Sequence, residues 1–123
     1  MGLKILLLMV LLHIIDDFFL QGMCLSKLKQ KETWTEYNEK TNNLYKYDYI
    51  VALFIHGLSW SIMVHLPLFF FDISEVLLII SVFANAIVHS YIDDIKANKK
   101  KINLVTDQFL HFLQILIIYF IFQ

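Results

Sequence analysis

The stretch that decides the fold is residues 48–71, which read DYIVALFIHGLSWSIMVHLPLFFF. Apart from the opening Asp48, this run is dominated by large apolar side chains. It exceeds the about 20 residues that an α-helix needs to cross a hydrocarbon core of ~30 Å. The run is therefore predicted to be a membrane-spanning helix. Its two histidines, His56 and His65, are notable because ionisable groups inside a span are costly.

Three further segments have the same character, at residues 2–21, 73–92 and 102–122. The whole chain agrees with them, since 59% of its 123 residues are hydrophobic and 17% are charged. Soluble domains are about 25% charged, and a soluble chain of this size could not hide so much apolar surface. The predicted fold class is all-α, a single polytopic domain over residues 1–123 with four transmembrane helices. This composition excludes a nucleic-acid-binding or disordered protein.

The lysines indicate how the helices are oriented. All ten basic residues are Lys, and nine of them lie in two connections, residues 22–47 and 93–103. Positive charge marks the cytoplasmic side of a membrane protein. Both termini are therefore expected on the non-cytoplasmic side of the cytoplasmic (inner) membrane of a bacterium. Segment 22–47 carries apolar residues at helical spacing and is predicted to lie along the membrane surface as an amphipathic element.

Each predicted span carries a histidine in the half next to the lysine-rich side. Three spans also carry an aspartate four residues away, which puts the two side chains on one helix face. With a rise of ~1.5 Å per residue, the groups of the first, second and fourth spans lie ~6–13 Å from the cytoplasmic ends of the helices. In the third span, the histidine lies about one turn before the end and the aspartate one turn nearer the cytoplasm. The residues are His13, His56, His89 and His111, with Asp17, Asp93 and Asp107.

Four imidazoles and three carboxylates are difficult to bury together as bare charges. A divalent cation would remove the difficulty. Nitrogen and oxygen ligands without thiolate suit Zn, which is the expected metal, or Mn, Fe or Ni. The spacing fits one ion with further carboxylates orienting the histidines, or a two-metal centre as in di-metal four-helix bundles. All seven residues are predicted metal ligands, and each of the three aspartates is also a candidate catalytic group.

Five other polar residues lie near this layer and are candidate orienting or substrate-binding groups: Gln21, Asn85, Gln108, Lys27 and Lys96. The two lysines lie close to the cytoplasmic end, where they could bind an anionic lipid headgroup. Asp16 is predicted to point about 100° away from Asp17, towards a neighbour or the interface. His65 lies ~13 Å beyond His56 and is predicted to be structural.

The order of these motifs resembles an uncharacterised family of small bacterial and phage membrane proteins, a domain of unknown function. The resemblance spans nearly the whole chain and rests on His13-x3-Asp17-Phe18-x-Leu20-Gln21, His56, His89-x2-Ile92-Asp93-x2-Lys96 and Asp107-Gln108-x2-His111. The family implies that the matched positions matter. The His and Asp pattern is also similar, more loosely, to integral-membrane metal-dependent hydrolases.

Three functions compete at this point. The first, leaning towards an enzyme, is a metal-dependent hydrolase acting on a lipid or other membrane-associated ester, amide or phosphodiester near the cytoplasmic face. The second is a metal or proton transport or sensing module. The third is a structural or partner-binding membrane protein whose polar layer holds the helices together. Membrane lipid and a small-molecule or lipid substrate are the expected partners, and nucleic acid is not.

Overall fold

The computed structural model describes residues 2–123, and it is helical throughout, with no strand in that range. The predicted all-α class is confirmed. The helices are α1 (Leu3–Ile15), α2 (Gly22–Leu28), α3 (Thr35–Lys40), α4 (Asp48–His65), α5 (Glu75–Ala97) and α6 (Leu104–Ile121). Short 3₁₀ turns join α2 to α3 and extend α4 as far as Phe70.

Within residues 2–123, three helices rather than the predicted four are long and apolar enough to cross a membrane: α4 with its 3₁₀ extension, α5 and α6. The expectation for the first helix is wrong because α1 has only 13 residues, or about 20 Å of α-helix. The chain then changes to a π-helical turn, Asp16–Leu20, in which the Gln21 N–H donates to the Asp16 carbonyl at 2.9 Å. Two of the five residues in that turn are charged.

The predicted helix limits also change at α5, which continues past residue 92 to Ala97. Asp93 and Lys96 therefore lie on a regular helix rather than in a connection. Segment 22–47, expected to be one amphipathic element, instead forms α2, a 3₁₀ turn and α3. The end of α5 holds it in place, since Asn98 accepts from the Lys31 N–H at 2.7 Å and donates to the Lys29 carbonyl at 3.0 Å.

Helices α4 and α5 pack most closely, and Gly57 makes this possible. A Cβ at Gly57 would collide with the Ser90 hydroxyl and the Ala86 carbonyl. Helix α1 packs against α4 and α6. The apolar core contains these buried residues: Met9, Trp60, Val64, Leu68, Leu78, Ile115, Ile118 and Tyr119. Many large apolar side chains on the outer faces of these helices are exposed, as expected where lipid is the solvent.

Candidate metal centre

Four histidines from four helices meet at the lysine-rich end of the apolar core. His13 (α1), His56 (α4), His89 (α5) and His111 (α6) are all buried. The rings of His89 and His111 stack with centroids 4.0 Å apart, and His56 lies 5.0 Å from His89 by the same measure. The His13 ring meets His111 edge-on at 5.9 Å. The structure thus contains the layer of histidines that the sequence spacing predicts.

Two carboxylates face the imidazole nitrogens in this layer. Asp17 Oδ1 lies 3.4 Å from His56 Nε2 and 3.9 Å from His89 Nε2. Asp93 reaches three histidines, with Oδ2 3.4 Å from His56 Nε2 and Oδ1 3.5 Å from His111 Nε2 and 3.9 Å from His89 Nε2. The Nε2 atoms of His56 and His89 are themselves only 3.1 Å apart. These side chains, with His13 and Asp107, are called the His/Asp cluster below.

The spacing of these atoms fits a metal ion. Two overlapping groups, Asp17–His56–His89 and His89–Asp93–His111, each offer three ligand atoms within 4.8 Å of one another. Ligands 2.0–2.1 Å from a tetrahedral zinc lie about 3.3–3.4 Å from each other. The distances in the cluster bracket that value. Neutral imidazole and carboxylate are also the ligand types that Zn and similar divalent ions accept.

Several buried polar atoms of the cluster have no hydrogen-bond partner within residues 2–123. Some of them lie near groups of the opposite type, but at distances or angles that do not form a hydrogen bond. Because buried polar groups in folded proteins are nearly always paired, such atoms are free to bind a ligand. They are Asp17 Oδ1, Asp107 Oδ1, His89 Nδ1, both ring nitrogens of His111, and Oδ2 of the neighbouring Asp16.

His13 differs from the other three histidines because both of its ring nitrogens are engaged. Trp60 Nε1 donates to His13 Nδ1 at 2.7 Å, so the proton of the neutral ring lies on Nε2, which donates to Gln108 Oε1 at 3.1 Å. His13 belongs to neither group of three potential ligands. Its role as a ligand stays a prediction, and its observed contacts are those of an orienting residue.

Gln108 links the cluster across the bundle. Its amide nitrogen donates to Asp17 Oδ2 at 3.1 Å and to Asp107 Oδ2 at 3.3 Å, while its oxygen accepts from His13. One side chain thereby fixes two carboxylates and one imidazole. Asp107 Oδ1 lies 3.4 Å from His111 Nε2. The candidate role of Gln108 as an orienting group agrees with this geometry.

Asp16 faces a neighbouring helix, α4, which is one of the two predicted surroundings, but it lies beside the cluster rather than away from it. It is 1% exposed. Ser59 donates to its Oδ1 at 2.6 Å, and its Oδ2 lies 3.7 Å from His56 Nδ1. The wider π-helical turn brings Asp16 and Asp17 to the inner side together. Only the pair of adjacent aspartates at the end of an apolar run could have signalled this.

Lys29 and Trp60 were not singled out by the sequence and are both buried in or against the cluster. The Lys29 ammonium lies 2.5 Å from Asp93 Oδ2. The Trp60 ring stacks on His89 at 4.3 Å, with an angle of 21° between the planes. A lysine in a lysine-rich connection and a tryptophan in an apolar helix carry no sequence signal for such positions.

The remaining candidates divide into those near the cluster and those away from it. Lys96 Nζ lies 2.6 Å from Asp107 Oδ2. The Gln21 amide, in the orientation its neighbours favour, accepts from Lys29 Nζ at 2.7 Å and donates to the Asp17 carbonyl at 3.2 Å. Lys27 is exposed and contacts none of the cluster. Asn85 lies in a separate group of polar side chains.

That separate group is centred on His65 and is called the His65 network below. His65 Nε2 lies 2.8 Å from Ser81 Oγ, and His65 Nδ1 lies 2.7 Å from the Ser61 carbonyl. Asn85 donates to Ser81 and accepts from Gln114 Nε2 at 2.9 Å. The members are Ser61, His65, Ser81, Asn85 and Gln114. Hydrogen bonds satisfy both nitrogens of His65, which supports its predicted structural role.

Two cavities on the lysine-rich side each border one aspartate of the His/Asp cluster. The first, of about 300 Å³, includes Lys29 and Asp93 in its wall, and the second, of about 380 Å³, includes Asp17 and Phe18. Gln21, Ser26 and Lys96 line both cavities.

An exposed ion pair stands at the outer edge of the first cavity. Lys100 Nζ lies 2.8 Å from Glu32 Oε1. The ammonium lowers the pKa of the Glu32 carboxyl by hydrogen bonding and charge attraction. Both side chains are more than half exposed, so the pair can open at little cost.

The fold and site together define an all-helical protein with helices long and apolar enough to cross a membrane and a buried cluster of histidine and aspartate side chains. Residues 5–123 match the family described as "Protein of unknown function (DUF3307)". The chain belongs to that family. Searches of curated proteins and of solved structures find no match.

Proposed function

We propose that this chain is a membrane-embedded, metal-dependent hydrolase that acts on a membrane-associated ester, amide or phosphodiester near the cytoplasmic face. The observation that carries the proposal is the set of convergent ligand atoms of His56, His89, His111, Asp17 and Asp93. Two of these residues line cavities, Asp93 the first and Asp17 the second.

Charge balance favours one divalent ion. Four carboxylates are buried in or beside the cluster, and two of them, Asp93 and Asp107, are each paired with a lysine. Asp16 and Asp17 accept hydrogen bonds from a hydroxyl and an amide and lie near imidazoles, and neither forms an ion pair with a lysine within residues 2–123. Buried charges need compensation. A single divalent cation would balance the two carboxylates that have no lysine partner, those of Asp16 and Asp17. His89 approaches both Asp17 and Asp93 through the same nitrogen, Nε2. Because one nitrogen can bind only one ion, this geometry also favours a single metal ion.

When bound, such an ion would activate a water molecule and polarise the substrate's carbonyl or phosphoryl oxygen. His56, His89, His111 and Asp93 are the proposed ligands. Asp17 is the proposed base, because it lines a cavity and forms no ion pair with a lysine in the described chain. Its Oδ1 takes a proton from the water, whose oxygen bonds to the carbonyl carbon or phosphorus. The bond to the leaving oxygen or nitrogen then breaks, and that atom receives the proton from Asp17.

Elemental analysis of the full chain purified in detergent tests the proposal most directly. We expect about one Zn, Mn, Fe or Ni per chain and hydrolysis of lipid esters or phosphodiesters that stops in chelator and returns with the metal. His89→Ala should remove both metal and turnover. His65→Ala, also a buried histidine in a span, is the matched control and should retain both. Full turnover in a metal-free preparation would refute the proposal.

A second candidate is metal or proton transport, which the His65 network favours. The network begins with Gln114, three residues after His111 on α6, and passes through Asn85 and Ser81 to His65. Polar groups thus continue from the cluster towards the other end of the bundle. Metal-dependent or proton flux in proteoliposomes, lost in His65→Ala but without lipid hydrolysis, would favour this function over the first.

A further inference from the structure

The two cavities beside the His/Asp cluster share a wall of cationic and hydrogen-bonding side chains. Gln21, Ser26 and Lys96 border both cavities, and Lys29 and Lys100 add two more ammonium groups to the first. Lys29 is 6% exposed, which is unusual for a lysine, and its ammonium contacts a single oxygen of Asp93, which leaves further N–H donors for a ligand. We propose that this wall binds the phosphate group of a membrane lipid, which makes a lipid phosphoester the substrate of the proposed hydrolase.

The position of the lysines places a phosphate next to the candidate metal ligands. Lys29 and Lys96 contact Asp93 and Asp107, respectively, through one carboxylate oxygen each. A phosphate held by these ammonium groups therefore lies one carboxylate away from the imidazole nitrogens. Ammonium groups bind phosphate oxygens through charge-assisted hydrogen bonds, which are stronger than neutral ones.

The apolar rim of the second cavity favours a lipid over free phosphate. Phe18 and Met23 line this cavity and are 56% and 85% exposed. Phe19 and Leu20 extend the same apolar surface and are also exposed. Cations beside an apolar surface match an amphiphile whose phosphate enters the cavity while its acyl chains remain along Phe18–Leu20. Basic pockets between membrane helices on the cytoplasmic side bind anionic headgroups in this way.

The structure also separates Lys96 from Lys27, which the sequence placed together as headgroup ligands. Lys27 is exposed and lines neither cavity. Lys29, two residues later in the chain, lines the first cavity and so occupies the position that the sequence predicted for Lys27. This difference supplies a matched pair of variants on one surface, Lys96→Gln and Lys27→Gln.

The test measures binding and cleavage separately, because the inference rests on the proposed hydrolase function. The full chain in nanodiscs of neutral glycolipid is titrated with phosphatidic acid, with diacylglycerol and with inorganic phosphate. We expect binding of phosphatidic acid that Lys96→Gln weakens about tenfold, as loss of a charge-assisted contact predicts. Lys96→Arg should restore it, and Lys27→Gln should change it less than about twofold.

Each outcome bears on one proposal or the other. Lysine-dependent binding of phosphatidic acid without any hydrolysis supports the phosphate site and refutes the hydrolase. Metal-dependent hydrolysis of diacylglycerol that Lys96→Gln leaves unchanged supports the hydrolase and overturns the phosphate site. Inorganic phosphate that displaces phosphatidic acid at equal concentration overturns the assignment to lipid. Thermal unfolding of each variant in detergent verifies that it is folded.

Discussion

The His/Asp cluster and the His65 network are both polar groups inside the same apolar bundle, but their hydrogen bonding is opposite. In the network, both His65 nitrogens have partners within 2.8 Å, and Gln114 Oε1 is the one unpartnered buried atom among its described members. In and beside the cluster, six buried atoms lack partners. The two regions contain similar residue types, so composition alone does not separate them.

This difference teaches how to tell a structural polar group from a binding site in a membrane-type bundle. Side chains that only join helices can pair with each other, as Ser81 and His65 do, and gain modest stability from it. A binding site instead leaves buried polar atoms without a partner, as the cluster does at Asp17 Oδ1 and His89 Nδ1. That arrangement is costly without the ligand.

The largest expected contrast comes from removing one histidine of each region. His111→Ala should weaken binding of the divalent ion by more than about 100-fold, because it removes a proposed ligand. His65→Ala should change it less than about twofold, since no cluster residue contacts His65. Isothermal titration of the metal-free protein with Zn or Mn measures both. Equal losses in the two variants would mean that the regions do not differ as proposed.

A smaller effect is expected for the two glutamines of α6, Gln108 and Gln114. Gln108→Leu removes the amide that fixes Asp17 and Asp107, and losses of orienting groups typically cost 10–100-fold in metal affinity. Gln114→Leu removes hydrogen bonds to Asn85 only. Its metal affinity should stay within about threefold of the parent protein. Metal titration again gives the readout, and a reversal of the order would contradict the assigned roles.

The smallest expected effect is on the free energy of unfolding. Ser81→Ala leaves His65 Nε2 without its partner and should destabilise the protein by about 1–3 kcal/mol. Addition of the metal should raise the unfolding temperature of this variant as much as that of the parent protein. Thermal unfolding in detergent with metal and with chelator provides both values. A metal effect lost in Ser81→Ala would assign the network to the metal site.

The sequence predicted the helical class and the meeting of His13, His56, His89 and His111 correctly, because a fixed rise and period determine depth and face along a helix. It was wrong about a fourth span. The same arithmetic assumes that α-helix continues to Gln21, whereas the structure has a π-helical turn from Asp16 to Leu20. The sequence also predicted that the third span ends at Ile92, whereas α5 continues to Ala97.

The surroundings of the cluster were harder to predict, since they depend on contacts between distant parts of the chain. Lys29 and Asp93 are 64 residues apart, and Trp60 and His13 are 47 apart. No local spacing encodes such pairs. The same holds for Asn85, which the sequence placed near His89 and the structure places with Ser81 and Gln114.

The sequence by itself determined that apolar helices dominate this protein and that histidines and aspartates recur four residues apart at one depth. These properties follow from composition and from helix geometry, which are local. Only the tertiary structure decided that Asp16 lies inside and that Lys29 pairs with Asp93. It also decided that Trp60 and Gln108 occupy both nitrogens of His13. The physical reason is that hydrogen bonds and ion pairs between helices depend on helix rotation and side-chain reach, which packing fixes after the helices form.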